Sequence, residues 1–242
     1  MATLMLRLAA PIQSWGDESK YNIRHTWREP SKSGVIGMIC AAMGMRRDSE
    51  DIVKLAKTLR MGVRIDQPGT TMVDFHTALA PLYSADGTAR HAKDGSLLMD
   101  KSPDVTYRHY LCDACFLVGL ESTDRDILQT IAQALQHPVF PLFLGRRSCP
   151  PTGPIVLGIR DESLIESLKK EEWLASEWYR RKTASGKLHI ICEASCADDV
   201  AIVRHDLPVS FSPVHRQFAF RSLAKEVTIE KGKIEHDPMG EL

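Results

Sequence analysis

An α+β fold with the strand–helix–strand–strand–helix–strand order of ferredoxin-like (RRM-like) domains is predicted by three observations. Leu4, Leu6 and Leu8 alternate with Met5, Arg7 and Ala9, which is a strand pattern at the head of the chain. Two apolar segments, one beginning near Ser33 and one over residues 124–135, carry helix-start residues and helical spacing. Runs rich in branched and aromatic residues at 61–66, 71–79, 107–120 and 155–159 supply the remaining strands. The βαββαβ domain is expected over residues 1–160, with a long insertion at 80–106, and a smaller C-terminal helix and β-rich extension with a polar tail over 161–242.

The first strand, residues 3–9, places three leucines on one face and Arg7 on the other. In a sheet with helices on one side, Arg7 is expected to point to the open side, where RNA-binding sheets carry their contacts. A loop of roughly twenty residues follows, long enough to be either functional or disordered. It holds Gln13, Trp15, Tyr21, Arg24, Trp27 and Arg28, and the aromatics argue against simple disorder. The helix near Ser33 has Pro30 before it and Ser31 or Ser33 to cap it; Val35, Ile36, Met38, Ile39, Ala42 and Met43 make it apolar nearly all round, so it is expected to be buried. Its N-terminus beside Lys32 reads either as an anion site, with Gly34 and Gly37 admitting another chain, or as a cap with packing glycines. A second helix is expected over 48–59.

Residues 80–104 break the pattern, with Pro81, Gly87, Gly95 and Pro103 among Arg90, His91, Lys93 and Lys101. Residues 107–120 are the strongest strand signal, and the helix after them has Thr123 as its expected cap and Ile127, Leu128, Ile131, Ala132 and Leu135 as its core stripe. Beyond Asp161 a charged helix over 162–181 is expected to carry Trp173, Trp178 and Tyr179. Strands near 188–193 and 200–205 suggest a second, smaller β unit; a closing strand is expected at 216–221, and the chain after Ser222 is expected to fray.

The 242 residues hold as many acidic as basic side chains, 31 of each, so the formal net charge is zero. Neutrality argues against autonomous, sequence-independent RNA binding, which depends on phosphate neutralisation. The distribution is uneven, however. Lys20, Arg24, Arg28, Lys32, Arg46 and Arg47 face one acid, Glu29, across residues 20–47, and no acid occurs from Pro138 through Arg160. No stretch is long and apolar enough for a membrane span, and the six cysteines without a secretory signal point to reduced thiols and a cytoplasmic protein.

Within the acid-free stretch, Leu144-Gly145-Arg146-Arg147-Ser148-Cys149-Pro150-Pro151 sets two adjacent guanidinium forks between a glycine and a proline pair. It reads either as a solvated loop or as a grip on phosphate and ribose oxygens. The spacing Cys112-Asp113-Ala114-Cys115 invites a metal or redox reading, but in a strand residues three apart face opposite ways, and no second pair stands at zinc spacing. No metal or cofactor is expected. His76, His109 and Tyr107 flank the insertion. They read either as an acid–base group for a ribose 2′-hydroxyl or as hydrogen-bonding residues at its base.

Taken in order, five short motifs resemble the CasD family, the small "five" subunit of type I-E CRISPR Cascade in the RAMP superfamily. They are residues 6–16, Pro30-Ser31-Lys32-Ser33-Gly34-Val35-Ile36-Gly37, Asp74-Phe75-His76-Thr77, Tyr107-Arg108-His109-Tyr110-Leu111-Cys112-Asp113, and the Gly-Arg-Arg run. The likeness covers about residues 4–221. It implies a non-catalytic CRISPR RNA-binding subunit of an antiviral ribonucleoprotein complex, which holds the 5′ repeat-derived tag (the 5′ handle) of the crRNA and caps one end of the backbone. The insertion would be a thumb that meets the guide RNA and the neighbouring backbone subunit, with the large subunit nearby and target DNA met through the assembled complex. Arg24, Arg28, Lys32 and Arg108 would contact phosphate, and Arg146 and Arg147 would grip phosphate or base edges beside Ser148. Gln13 and Trp15 would hydrogen-bond and stack on a base. Ser31, Ser33, Gly34, Gly37 and Gly145 would let RNA lie against the protein backbone. The alternatives are a metal-independent endoribonuclease processing CRISPR repeat RNA, a general single-strand binder, and a pure protein-interaction subunit.

Overall fold

The leucine alternation at the N-terminus becomes β1 (Ala2–Ala9), flanked antiparallel by β9 (Cys115–Ser122) and β10 (Val156–Arg160). With β6 (Arg60–Gln67), β11 (Gly186–Cys192) and β14 (Val227–Lys231) they form one antiparallel sheet in the order β10-β1-β9-β6-β11-β14. The computed structural model describes residues 1–16, 22–84, 88–100, 102–183, 186–196, 199–212 and 215–231; Lys20, Tyr21, Gly87, Lys101 and the tail from 232 lie outside them. Leu4, Leu6 and Leu8 pack with Phe116, Val118 and Leu120 under α1 (Lys32–Ala42), α2 (Asp51–Thr58) and α3 (Arg125–Gln136). The other face is also covered. Met5 and Leu117 pack against Leu164 and Leu168 of α4 (Leu164–Lys170). The expectation of an open side for Arg7 is therefore corrected: its guanidinium donates to the carbonyl of Thr152 at 2.8 Å.

Helix α1 is buried along most of its length, as its all-round apolarity predicts, and Ser31 caps it by accepting from the Gly34 N–H. The cap of α3 is Asp124 rather than Thr123, its carboxylate accepting from the N–H groups of Asp126 and Ile127.

The run 107–120 is two strands rather than one. β8 (Asp104–Cys112) ends at a tight turn in which Asp113 has φ 56°, and β9 starts in the central sheet. β8 pairs along its length with β7 (Thr70–Ala78) and, on its other edge, with β2 (Ile12–Gln13) and β4 (Ile23–Arg24); β3 (Trp15–Gly16) and β5 (Thr26–Trp27) form a small ribbon beside them. The chain between β7 and β8 folds back through bridges Pro81↔Met99, Tyr83↔Ala89 and His91↔Leu97.

The C-terminal part departs most from expectation. The single helix expected over 162–181 is α4 and α5 (Glu177–Lys182) with an extended stretch between. The buried Arg64 guanidinium takes the carbonyls of Leu168, Glu171 and Glu172 there, and Asp66 and Gln67 accept from Leu174 and Ser176. Those bonds replace helical ones. β14 occupies the region expected to fray, as an edge strand on β11. β12 (Val200–Ser210) and β13 (Gln217–Ala224) form a separate ribbon.

That ribbon is joined to α1 by a buried ion network. Lys32 Nζ lies 2.8 Å from Glu193 and Arg221 Nε 2.5 Å from Asp206, while Asp206 also accepts from the Lys32 N–H at 2.8 Å. Burial pulls the Lys32 pKa down, against the opposing pull of Glu193.

Candidate nucleic-acid interface

The strand register brings charge together on the second sheet. β4 runs parallel to β8 with Arg24 beside Arg108, and on β7 Asp74 is the cross-strand neighbour of Arg108. The Gly-Arg-Arg loop reaches the same place. Arg146 stacks its guanidinium 4.6 Å from the Tyr110 ring centre and donates to the carbonyls of His109 (3.2 Å) and Arg24 (3.0 Å). His25 and His109 stand ring to ring with centroids 4.7 Å apart. Three segments distant in sequence thus meet, and Arg24, Arg147 and Ser148 are exposed there while Arg108 and Arg146 are half-buried.

Gly145 holds this loop in place. Its φ is +93°, and a Cβ built on it would overlap the Ser14 carbonyl oxygen. The close approach the glycine permits is therefore to the protein's own backbone. The Ser14 N–H donates to Leu144 O at 3.1 Å, and Ser14 Oγ donates to His109 O at 3.3 Å, so one residue links the loop to β8.

Several residues expected at the interface are placed elsewhere. Trp15 and Gln13 are fully buried (0 % exposed each). The indole N–H donates to Gln13 Oε1 at 3.1 Å, and Gln13 Nε2 donates to Ala114 O at 2.7 Å. Neither offers a free face to a base. Lys32 is 3 % exposed and bound to Glu193 and the Leu59 carbonyl, which removes it as a phosphate contact. Ser31 is a buried cap, and Ser33 Oγ lies 3.4 Å from Ser31 Oγ. Gly34 packs on the Trp15 ring and Gly37 on Phe211, so both admit side chains of this chain. The helix N-terminus read as an anion site is already filled by the Asp206 carboxylate. Arg28 is exposed but lines a different groove, with Trp173, Tyr179 and Lys187.

His76 pairs with Thr106 whereas His109 pairs with Val73, so they lie three rungs apart, about 10 Å along the strand, and on opposite faces. They form no acid–base pair. His25 and the role of Tyr110 were not expected; His25 directly follows Arg24, and Tyr110 lies two residues beyond Arg108, so proximity to a singled-out arginine was the available signal.

Cys112 and Cys115 flank the β8–β9 turn, and among the described residues no group of three His, Cys, Asp or Glu is placed to hold a metal ion. Burial raises the thiol of Cys40 to about 12 and those of Cys115 and Cys192 to about 11, while Cys196 is exposed. Native protein at neutral pH is therefore expected to take up a maleimide at Cys196 first, with Cys40, Cys115 and Cys192 reacting only after denaturation; peptide mapping of a time course checks this.

Fold and site together define a mixed α/β protein with an arginine-rich surface over a small secondary sheet. The family model described as CRISPR-associated protein (Cas_Cas5) matches residues 3–224, and the chain belongs to that family. It is 33 % identical over 166 residues to the CRISPR system Cascade subunit CasD of Escherichia coli (strain K12), covering 64 % of this chain and 70 % of the relative. Its fold matches a chain of a structure described as a CRISPR RNA-guided surveillance complex with TM-score 0.74 and 33 % identity, over 94 % of this chain and 90 % of the other. A second structure, described as a Cas protein, matches with TM-score 0.69 and 34 % identity over 95 % of both chains. Among the described residues no helix is long and apolar enough to cross a membrane.

Proposed function

We propose that this chain is a non-catalytic CRISPR RNA-binding subunit of a type I-E Cascade complex, holding the 5′ repeat-derived tag of the crRNA and capping one end of the backbone. The observation that carries the reading is the convergence of Arg24, Arg108, Arg146 and Arg147 from three chain segments. Charge-assisted bonds from such forks suit phosphate oxygens. The relatives' descriptions as a Cascade subunit and a surveillance complex support the setting. We read the core, residues 1–160, as ferredoxin-like. The order β10-β1-β9-β6, with helices after the first and third of these strands in sequence, supports that. The insertion at 80–106 is read as a thumb for the backbone subunit, and residues 161–242 as an extension. The large subunit would bind nearby, target DNA would be met through the assembled complex, and the setting would be cytoplasmic.

The RNA contacts are assigned to Arg24, Arg108, Arg146, Arg147 and Ser148. Arg146→Ala with Arg147→Ala is expected to weaken retention of the 5′ tag and to lower the salt slope of binding by about two, one for each lost phosphate contact. Unchanged affinity and slope in the double variant would overturn the assignment.

One observation favours a second reading, a metal-independent endoribonuclease. The His25 and His109 rings lie 4.7 Å apart, tilted by 41°, beside Arg146, a grouping that could serve proton transfer at a 2′-hydroxyl. Incubating the purified protein with its end-labelled repeat RNA in EDTA separates the two. Intact, shifted RNA supports the binding subunit. Discrete cleavage that is lost in His109→Ala supports the nuclease.

A further inference from the structure

Where β6 ends and β11 begins, α5 and the stretch before it enclose a groove of about 310 Å³ lined by Arg28, Trp173, Tyr179, Thr183, Lys187 and His189, among others. Two aromatics, Trp173 and Tyr179, line it, and an edge-on ladder continues from them to Trp178, outside the lining. Trp173 is fixed by its indole N–H on Asp66 O at 2.8 Å; Tyr179 stands edge-on to it at 6.4 Å, and Trp178 stands edge-on to Tyr179 at 5.8 Å. Trp178, at the surface end, is 54 % exposed.

The rim is cationic. Helix α5 ends in Arg180-Arg181-Lys182, and Lys187 follows on β11. The side chains of Arg28, Lys182 and Lys187 make no hydrogen bond or ion pair with any described residue. Arg180 Nε is buried and without a partner. The neighbouring acids only partly offset these charges: Asp66 is held by Arg64, Glu226 by His189, and Glu177 lies 3.6 Å from Arg181, which leaves Glu230 as the cross-strand neighbour of Lys187. A single unpaired surface cation is ordinary; several around one aromatic groove are not. Here Arg28 and Lys187 line the groove with Tyr179, and Arg181 and Lys182 follow the exposed Trp178 by three and four residues on α5, an arrangement that suits a strand presenting phosphates on one side and base faces on the other. An acidic peptide would use the cations but leave the aromatic ladder without a role. Arg28 also lies four residues beyond Arg24, at most about 14 Å of chain, so a single segment borders both cationic regions.

We propose that this groove is a second site for single-stranded nucleic acid, separate from the Arg24–Arg146 cluster. Arg28, Lys187 and Arg180–Lys182 bind the phosphodiester and Trp178 with Tyr179 stacks a base. RNA and DNA share this chemistry, so both are tested.

The experiment uses the full chain carrying Arg146→Ala and Arg147→Ala, which removes the first cluster. The probes are an oligouridine RNA and an oligothymidine DNA of equal length, each with one photoreactive 4-thio base. Crosslinks are expected on the peptide holding Trp178 and Tyr179. Adding Arg181→Ala and Lys182→Ala, both at exposed positions, is expected to lower the residual affinity about tenfold and the salt slope by about two. Trp178→Ala is expected to abolish the crosslink while leaving the salt slope unchanged. Preference for the RNA or the DNA probe, or equal binding, supports the site and names the strand it takes. Unchanged affinity and slope with crosslinks elsewhere would overturn it, as would binding of polyglutamate with no binding of either probe, which would make the groove a protein contact. Loss of tag binding is read separately, from the Arg146/Arg147 variant against wild type.

Discussion

Arg64→Met is expected to cost about 3–5 kcal/mol of stability and to lower the melting temperature by about 10 °C. Arg64 is 0 % exposed in the middle of the sheet, and its guanidinium is fully engaged. Nε and Nη2 bind both oxygens of Asp66, at 2.6 and 2.8 Å, and the remaining donors take the carbonyls of Leu168, Glu171 and Glu172. Methionine fills much of the same volume and restores none of this. It leaves a buried carboxylate unpaired and three carbonyls short of a donor. The same bonds end α4, so the stretch 171–176 and the packing of Trp173 are expected to loosen with them.

The pH dependence gives the loss a signature. Burial already pushes the Asp66 carboxyl above its usual range, with the Arg64 guanidinium opposing. Without Arg64 the carboxyl rises further and is expected to take up a proton on folding. A carboxyl with a higher pKa folded than unfolded contributes stability that is present at low pH and lost as pH rises. The gap between variant and wild type is therefore expected to be smaller at pH 5 than at pH 8, measured by urea unfolding at both. A gap independent of pH would mean that Asp66 finds another partner. The surface pair Arg125–Asp161 supplies the control, and Arg125→Met is expected to change little.

Arg64 also shows where sequence reading stops. The alternation of leucines in β1 and the apolar periodicity of α1 and α3 are local signals, and those elements fell close to where the pattern put them. The helix expected over 162–181 failed because its break is imposed from β6, about a hundred residues earlier, by a charged side chain that periodicity counts as exposed. Lys32 and Trp15 misled in the same way. A lysine at a helix start and a tryptophan in a long polar loop look available, yet the first is claimed by Glu193 and the second by Gln13 and Gly34. The Gly-Arg-Arg run keeps Arg147 and Ser148 exposed, but the close approach its glycine permits is to Ser14 of the same chain rather than to RNA. What sequence could not supply was the convergence, since Arg24 and Arg108 become neighbours only through the parallel pairing of β4 with β8.

Gly145→Ala tests that convergence more sharply than removing the arginines, because it leaves every charge in place. The loop takes φ +93° at this residue, and an added methyl would overlap the Ser14 carbonyl, a backbone atom that cannot rotate away. Strain of this kind costs about 1–3 kcal/mol and is relieved only by lifting the loop. Lifting it breaks the Ser14–Leu144 bond and draws Arg146 off Tyr110 and off the carbonyls of His109 and Arg24. The expected result is a protein that still folds, with a melting temperature lowered by a few degrees, and that binds the RNA tag as poorly as the Arg146/Arg147 double alanine variant. Its salt slope is expected to fall by the same two units although both arginines remain. Gly16→Ala is the matched control, because a Cβ there meets nothing within 4 Å. If Gly145→Ala instead kept wild-type affinity at a lowered melting temperature, the arginines would be acting as untethered charge, and the bonds that hold Arg146 against β8 would belong to the fold alone.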